Sequence, residues 1–162
     1  MKKDKLKDIM EHMLEQAKTL LLRDGYIAPV GFIHYGNKID IIGLRLKNQE
    51  DKEMQILALG EMARVKKADA VITVIESWYV VSDKKDLNIV PSKHSARKEC
   101  IIAVGECEEG SVMIIQKFER RVRKNGKKDK FIFTEKEEDM NIGFSRFKFG
   151  IEKNEDSYQG YV

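Results

Sequence analysis

The stretch AVITVIESWYVVS, residues 70–82, carries one charge, Glu76, in a run of Val, Ile, Ala, Thr, Ser, Trp and Tyr. β-Branched and aromatic side chains suit an extended, pleated backbone. Successive side chains of a strand point to opposite faces. Ala70, Ile72, Val74, Glu76, Trp78 and Val80 therefore share one face, and Val71, Thr73, Ile75, Ser77, Tyr79 and Val81 the other. Both faces are largely apolar, so the run predicts a strand covered on both sides. Glu76 is the anomaly. A carboxylate there must be exposed, paired or protonated, because burying a lone charge is costly.

Upstream, Leu6, Ile9, Met10, Met13, Leu14, Ala17, Leu20 and Leu21 recur at spacings of three and four. They predict an amphipathic helix over residues 2–24, stopped at Gly25. Residues 28–35 and 38–46 read as strands joined at Gly36-Asn37, a two-residue hairpin signal. Asn48, with Asp51 three residues on, caps a second helix that runs to about residue 67. Met54, Leu57, Ala58, Met62 and Val65 are assigned to its inner face. Gly60 within it costs about 1 kcal/mol relative to Ala, which points to close approach of helix and sheet.

Downstream, residues 83–96 form a polar loop with Pro91 and His94, and residues 99–107 the next strand. Glu108-Glu109-Gly110 is a turn, followed by a long strand over residues 111–123. Asn125-Gly126 turns the chain into a short strand over residues 130–134. Thr134 with Glu137 has the pattern of a cap for a short last helix. The expectation is one α+β domain over residues 1–150 and a polar tail over 151–162. It contains a single antiparallel sheet of five or so strands and two main helices, in the order α-β-β-α-β-β-β with a further strand.

That element order occurs in profilin-like and roadblock-like domains, and a related one in PAS and GAF domains. In the roadblock arrangement the strand after the second helix lies at a sheet edge and meets a second copy. An open, long apolar edge is an aggregation hazard. Strand 70–82 is therefore expected at an edge, paired with its copy in a homodimer.

Composition narrows the function classes. The chain has 162 residues, with 30 Lys plus Arg against 27 Asp plus Glu and a net charge of +3. That balance is too mild to argue for nucleic acid. Cys100 and Cys107 fall on opposite faces of one strand and read as reduced thiols of a cytoplasmic protein. The N-terminus has no apolar signal core, and no run approaches membrane-spanning length. No membrane partner is expected.

Chemistry needs clustered residues. His12, His34 and His94 are scattered without metal-ligand spacing, and no Gly-rich phosphate loop is present, so no metal and no cofactor are expected. Cys100 as a nucleophile needs a nearby His and an electropositive, exposed setting, but it opens an apolar strand. Asp40 with Glu50 and Lys52 gives a nuclease-like set, yet the last two open a helix. The basic run Lys117, Arg120, Arg121, Arg123, Lys124, Lys127, Lys128 and Lys130 is denser. A twisted ribbon of this kind can contact phosphates, weakly and without sequence preference. The plainer reading is a solvated hairpin whose lysines blunt an edge.

Glu76-Ser77-Trp78 and the segment Pro91-Ser92-Lys93-His94-Ser95-Ala96-Arg97-Lys98-Glu99 resemble small microbial and phage proteins with an E-x-W strand followed by P-S-x-H-x-x-R-x-E. The resemblance spans residues 20–125 and implies no activity. Glu76, Trp78, His94, Arg97 and Glu99 are the candidates for a ligand or hydrolase site. Pairing strands 70–82 and 99–107 around the loop sets residue 76 opposite residue 103. Arg97 then lies about 20 Å along the ladder, leaving His34 or Arg45 freer to meet Glu76. The leading expectation is a non-catalytic binding or assembly module acting as a homodimer. A nucleic-acid-associated protein is the alternative.

Overall fold

A computed structural model describes residues 1–79, 98–142 and 147. The described elements are α1 (Lys3–Asp24), β1 (Val30–Tyr35), β2 (Lys38–Gly43), α2 (Gln49–Val65), β3 (Ala70–Tyr79), β4 (Lys98–Cys107), β5 (Gly110–Arg121) and β6 (Lys130–Ile142). The strands make one antiparallel six-stranded sheet in the order β2-β1-β3-β4-β5-β6. The fold is α+β, as the sequence predicts.

β3 lies inside the sheet. Val30–His34 of β1 pair with one of its edges and β4 with the other along its length. This corrects the expected edge position: residues 70–74 are paired on both sides, and residues 75–79 pair with β4 on one side. The doubly apolar composition has another cause. Ala70, Ile72 and Val74 pack with Leu6, Met10, Leu14, Ala17 and Leu21 of α1. Val71 packs on the other face with Ile56, Leu59 and Ala63 of α2, and with Phe147. One helix on each face covers the strand.

α1 follows its sequence closely. Its buried residues are Leu6, Met10, Leu14, Ala17 and Leu21, and Gly25 closes it in a left-handed conformation with its N–H on the Leu21 carbonyl. The start has no side-chain cap of its own. The β4–β5 turn supplies one: Glu109 accepts from the Lys3 N–H at 2.8 Å, and Glu108 lies 3.3 Å from the terminal ammonium. Carboxylates at a helix N-terminus also meet the positive end of its dipole.

α2 is capped as expected, with Asn48 Oδ1 accepting from the Asp51 N–H at 2.8 Å. Its orientation corrects the expected inner face. Ile56, Leu59, Gly60 and Ala63 are buried, whereas Met54, Leu57, Ala58, Met62 and Val65 are exposed. Close contacts set this orientation. Leu59 sits where a Gly31 Cβ would be, 2.7 Å away, and a Cβ at Gly60 would collide with the Phe147 carbonyl. The tight neighbour of Gly60 is thus Phe147 rather than the sheet.

β6 also departs from expectation. It runs to Ile142, where a capped helix after Thr134 was expected. Its acids find partners on β5, on α1 and along β6 itself: Glu135 and Glu137 on Lys117, and Glu138 on Lys7 and Lys136. Those pairings, with the β5 ladder, outweigh a local capping signal. Asn125 and Gly126 both take positive φ in the preceding turn, as an Asn-Gly hairpin requires.

Candidate functional site

Val112, Ile114 and Phe118 of β5 face α1, and Arg120 follows two residues later on that side. Its guanidinium is heavily engaged. Nε donates to both Glu99 oxygens at 3.2 Å, Nη2 to Glu76 Oε1 at 2.9 Å, and Nη1 to the Gly25 carbonyl at 2.8 Å. Asp129 Oδ2 lies 3.6 Å from Nη1, and the guanidinium carbon sits 4.8 Å from the Phe131 ring centroid. The second oxygen of Glu76 accepts from the Ile27 N–H at 3.1 Å.

This answers the Glu76 anomaly. The carboxylate is half-buried and paired, with Arg120 as its cation rather than His34 or Arg45. Burial opposes the charge of Arg120, while Glu99, Glu76 and Asp129 more than offset that, holding it above the usual guanidinium range. The planar fork suits the task, since it meets several acceptors at once. The cluster also ties the end of α1 to three strands through Gly25, Ile27, Glu76, Glu99 and Arg120.

The β3–β4 register differs from expectation by two residues: Glu76 stands opposite Ile101, and Trp78 opposite Glu99. Trp78 lies at the rim on the α1 side, 38% exposed. Glu76, Trp78 and Glu99 are therefore brought together, while His94 and Arg97 lie outside the described residues. Sequence reasoning placed Arg120 with the basic run and missed it here. A period-2 reading through Val112, Ile114, Gln116 and Phe118 puts Arg120 on the inner face, which was the available signal.

The rest of the basic run divides. Lys117, on the opposite face, binds Glu137 at 2.8 Å and Glu135 at 3.2 Å, with its ammonium over the Tyr79 ring. Arg121, Arg123, Lys124 and Lys127 are exposed around the β5–β6 turn. Lys128 is exposed there too and donates to the Arg23 carbonyl at 3.2 Å.

The Cys100 thiol is buried and donates to the Ser77 carbonyl at 3.7 Å. Burial pushes it up to about 11, partly opposed by Lys117. A thiol this protonated is a poor nucleophile at neutral pH. Asp40 is occupied by Lys66 at 2.8 Å and by the Tyr35 hydroxyl at 3.0 Å. Among the described residues, no three His, Cys, Asp or Glu are grouped to hold a metal.

A groove of about 380 Å³ opens where α1 leaves β1 and β2 uncovered. Met13, Leu20, Ile27, Val30, Phe32 and Ile41 form most of its wall, with Gln16 and Asp24 among its polar groups. No helix of the described residues is long and apolar enough to cross a membrane.

A family model described as "Bacteriophage lambda protein ea47" matches residues 1–150. Neither a curated protein nor a solved structure matches the chain. With the match covering nearly the whole sequence, the chain belongs to the bacteriophage lambda protein ea47 family.

Proposed function

We propose that the protein is a non-catalytic binding or assembly module of the cytoplasm that acts as a homodimer. The observation that carries this reading is the outward apolar face of α2, where Met54, Leu57, Met62 and Val65 meet solvent. Scattered exposed hydrophobes need no explanation, but a contiguous patch marks an interaction surface. The saturated cluster around Arg120 supports the non-catalytic part, since its charges are spent on one another and on backbone groups. Light scattering on the purified chain at tens of micromolar tests the reading. A particle of twice 18.8 kDa is expected, and a mass of 18.8 kDa would refute it.

The exposed cations at the β5–β6 turn favour a second reading, weak and nonspecific nucleic-acid binding. Charge reversal at Arg121 and Arg123 then abolishes retention on DNA or RNA at low salt. Arg120 is left intact in this test, because its reversal strikes the fold. Retention unchanged in the double variant rejects the turn as the site.

A further inference from the structure

α2 carries two apolar faces. At 100° per residue, Ile56, Leu59, Gly60 and Ala63 centre on one side, and Met54, Leu57, Ala58, Met62 and Val65 on the diametrically opposite side. The outer set holds the larger side chains and is 63%, 46%, 41% and 68% exposed at Met54, Leu57, Met62 and Val65. The helix cannot roll to bury them, because Gly60 is locked against Phe147 and Leu59 against Gly31.

The charges along α2 say what suits it. Residues 50–53 hold three acids, Glu50, Asp51 and Glu53, and one base, Lys52. Residues 61–67 hold three bases, Arg64, Lys66 and Lys67, and one acid, Glu61. One end is therefore net acidic and the other net basic, Lys66 being shared there with Asp40 of β2, with the apolar stripe between them. A second α2 laid antiparallel across a two-fold axis at Ala58 puts Met54 against Met62 of the partner subunit and the acidic end against the basic end. Parallel packing sets like charges side by side. Helix dipoles also favour the antiparallel pair. Ala58 at the crossing point lets the axes approach to about 8–10 Å. A two-fold contact uses one surface twice, so it must be self-complementary in this way.

We propose that α2 is the homodimer interface, two copies packing antiparallel through Met54, Leu57, Ala58, Met62 and Val65. This rests on the assembly reading above but names the surface, and the test separates the two. Sedimentation of the full chain is compared with Leu57→Glu, and with Ile41→Glu at the groove as a control. Leu57→Glu is expected to raise the dissociation constant at least tenfold while the circular dichroism stays native, and Ile41→Glu to leave it unchanged. An Ala58→Cys variant, its added thiol on the axis, is expected to form a disulfide-linked dimer under mild oxidation, which holds even if Leu57→Glu folds poorly. A wild-type monomer overturns both the assembly reading and this one. A dimer that survives Leu57→Glu, dissolves in Ile41→Glu, or fails to cross-link at position 58 overturns this one alone.

Discussion

α1 and α2 lie on opposite faces of the same sheet and are held in different ways. α1 turns its large side chains inward along its length, and both ends are tied by charge: Glu108 and Glu109 at the start, Arg120 and Glu76 near the finish. α2 turns Ile56, Leu59, Gly60 and Ala63 inward and Met54, Leu57, Met62 and Val65 outward, and is locked by contacts at Gly60 and Leu59. The difference teaches that a helix face is chosen by fit as well as by hydrophobicity. A Gly-Ala face lets α2 sit close, and interior packing density rewards that closeness.

The largest test of the contrast is a pair of truncations. Leu14→Ala in α1 should cost about 3 kcal/mol in urea unfolding, since it deletes a buried side chain and leaves a cavity. Leu57→Ala, measured under dilute monomeric conditions, should change stability by less than about 0.5 kcal/mol. Equal losses would mean that α2 is turned the other way. Next comes Gly60→Ala. In an exposed helix interior it gains about 1 kcal/mol, but here the added methyl meets the Phe147 carbonyl, so a loss of about 2 kcal/mol is expected. A stabilised variant would remove the lock on α2.

Glu76→Gln probes how α1 is tied at its finish. It removes a half-buried charge from a matched Arg120, so thermal unfolding should show a loss of about 1–2 kcal/mol. An unchanged melting temperature would make the cluster ornamental. The smallest effect is expected on the α2 side of the sheet, at Cys100. Its folded pKa is raised, so the stability it contributes is fully present below the ordinary thiol value of 9.0 and is lost as pH rises through about 11. Wild type should therefore weaken more than Cys100→Ala between those values. Parallel curves would mean that water reaches the thiol.

The same contrast marks what the sequence made legible. α1, the Asn48 cap, the two-faced β3 and the Asn-Gly turn were readable because local spacing and backbone chemistry specify them. The inner face of α2 was not, because Gly60 and Ala63 contribute little hydrophobicity and are selected by a neighbour far along the chain, Phe147. The position of β3 was hidden for a related reason. Two apolar faces say that a strand is covered, not whether its hydrogen-bonding edges are open. Of the candidate site, Glu76, Trp78 and Glu99 were found together, but their cation was concealed in a charge run. Alternation along β5 splits that run into Arg120 facing inward and its neighbours facing solvent.

Methionine oxidation footprinting across a dilution series tests the orientation and use of α2 most directly, because Met10 is buried while Met54 and Met62 are exposed on the chain. Met10 should stay protected at every concentration. Met54 and Met62 should be oxidised readily at nanomolar chain and become protected together at tens of micromolar. Protection of Met54 and Met62 equal to that of Met10 at every dilution would contradict the outward face. Oxidation independent of concentration would contradict its burial against a second copy.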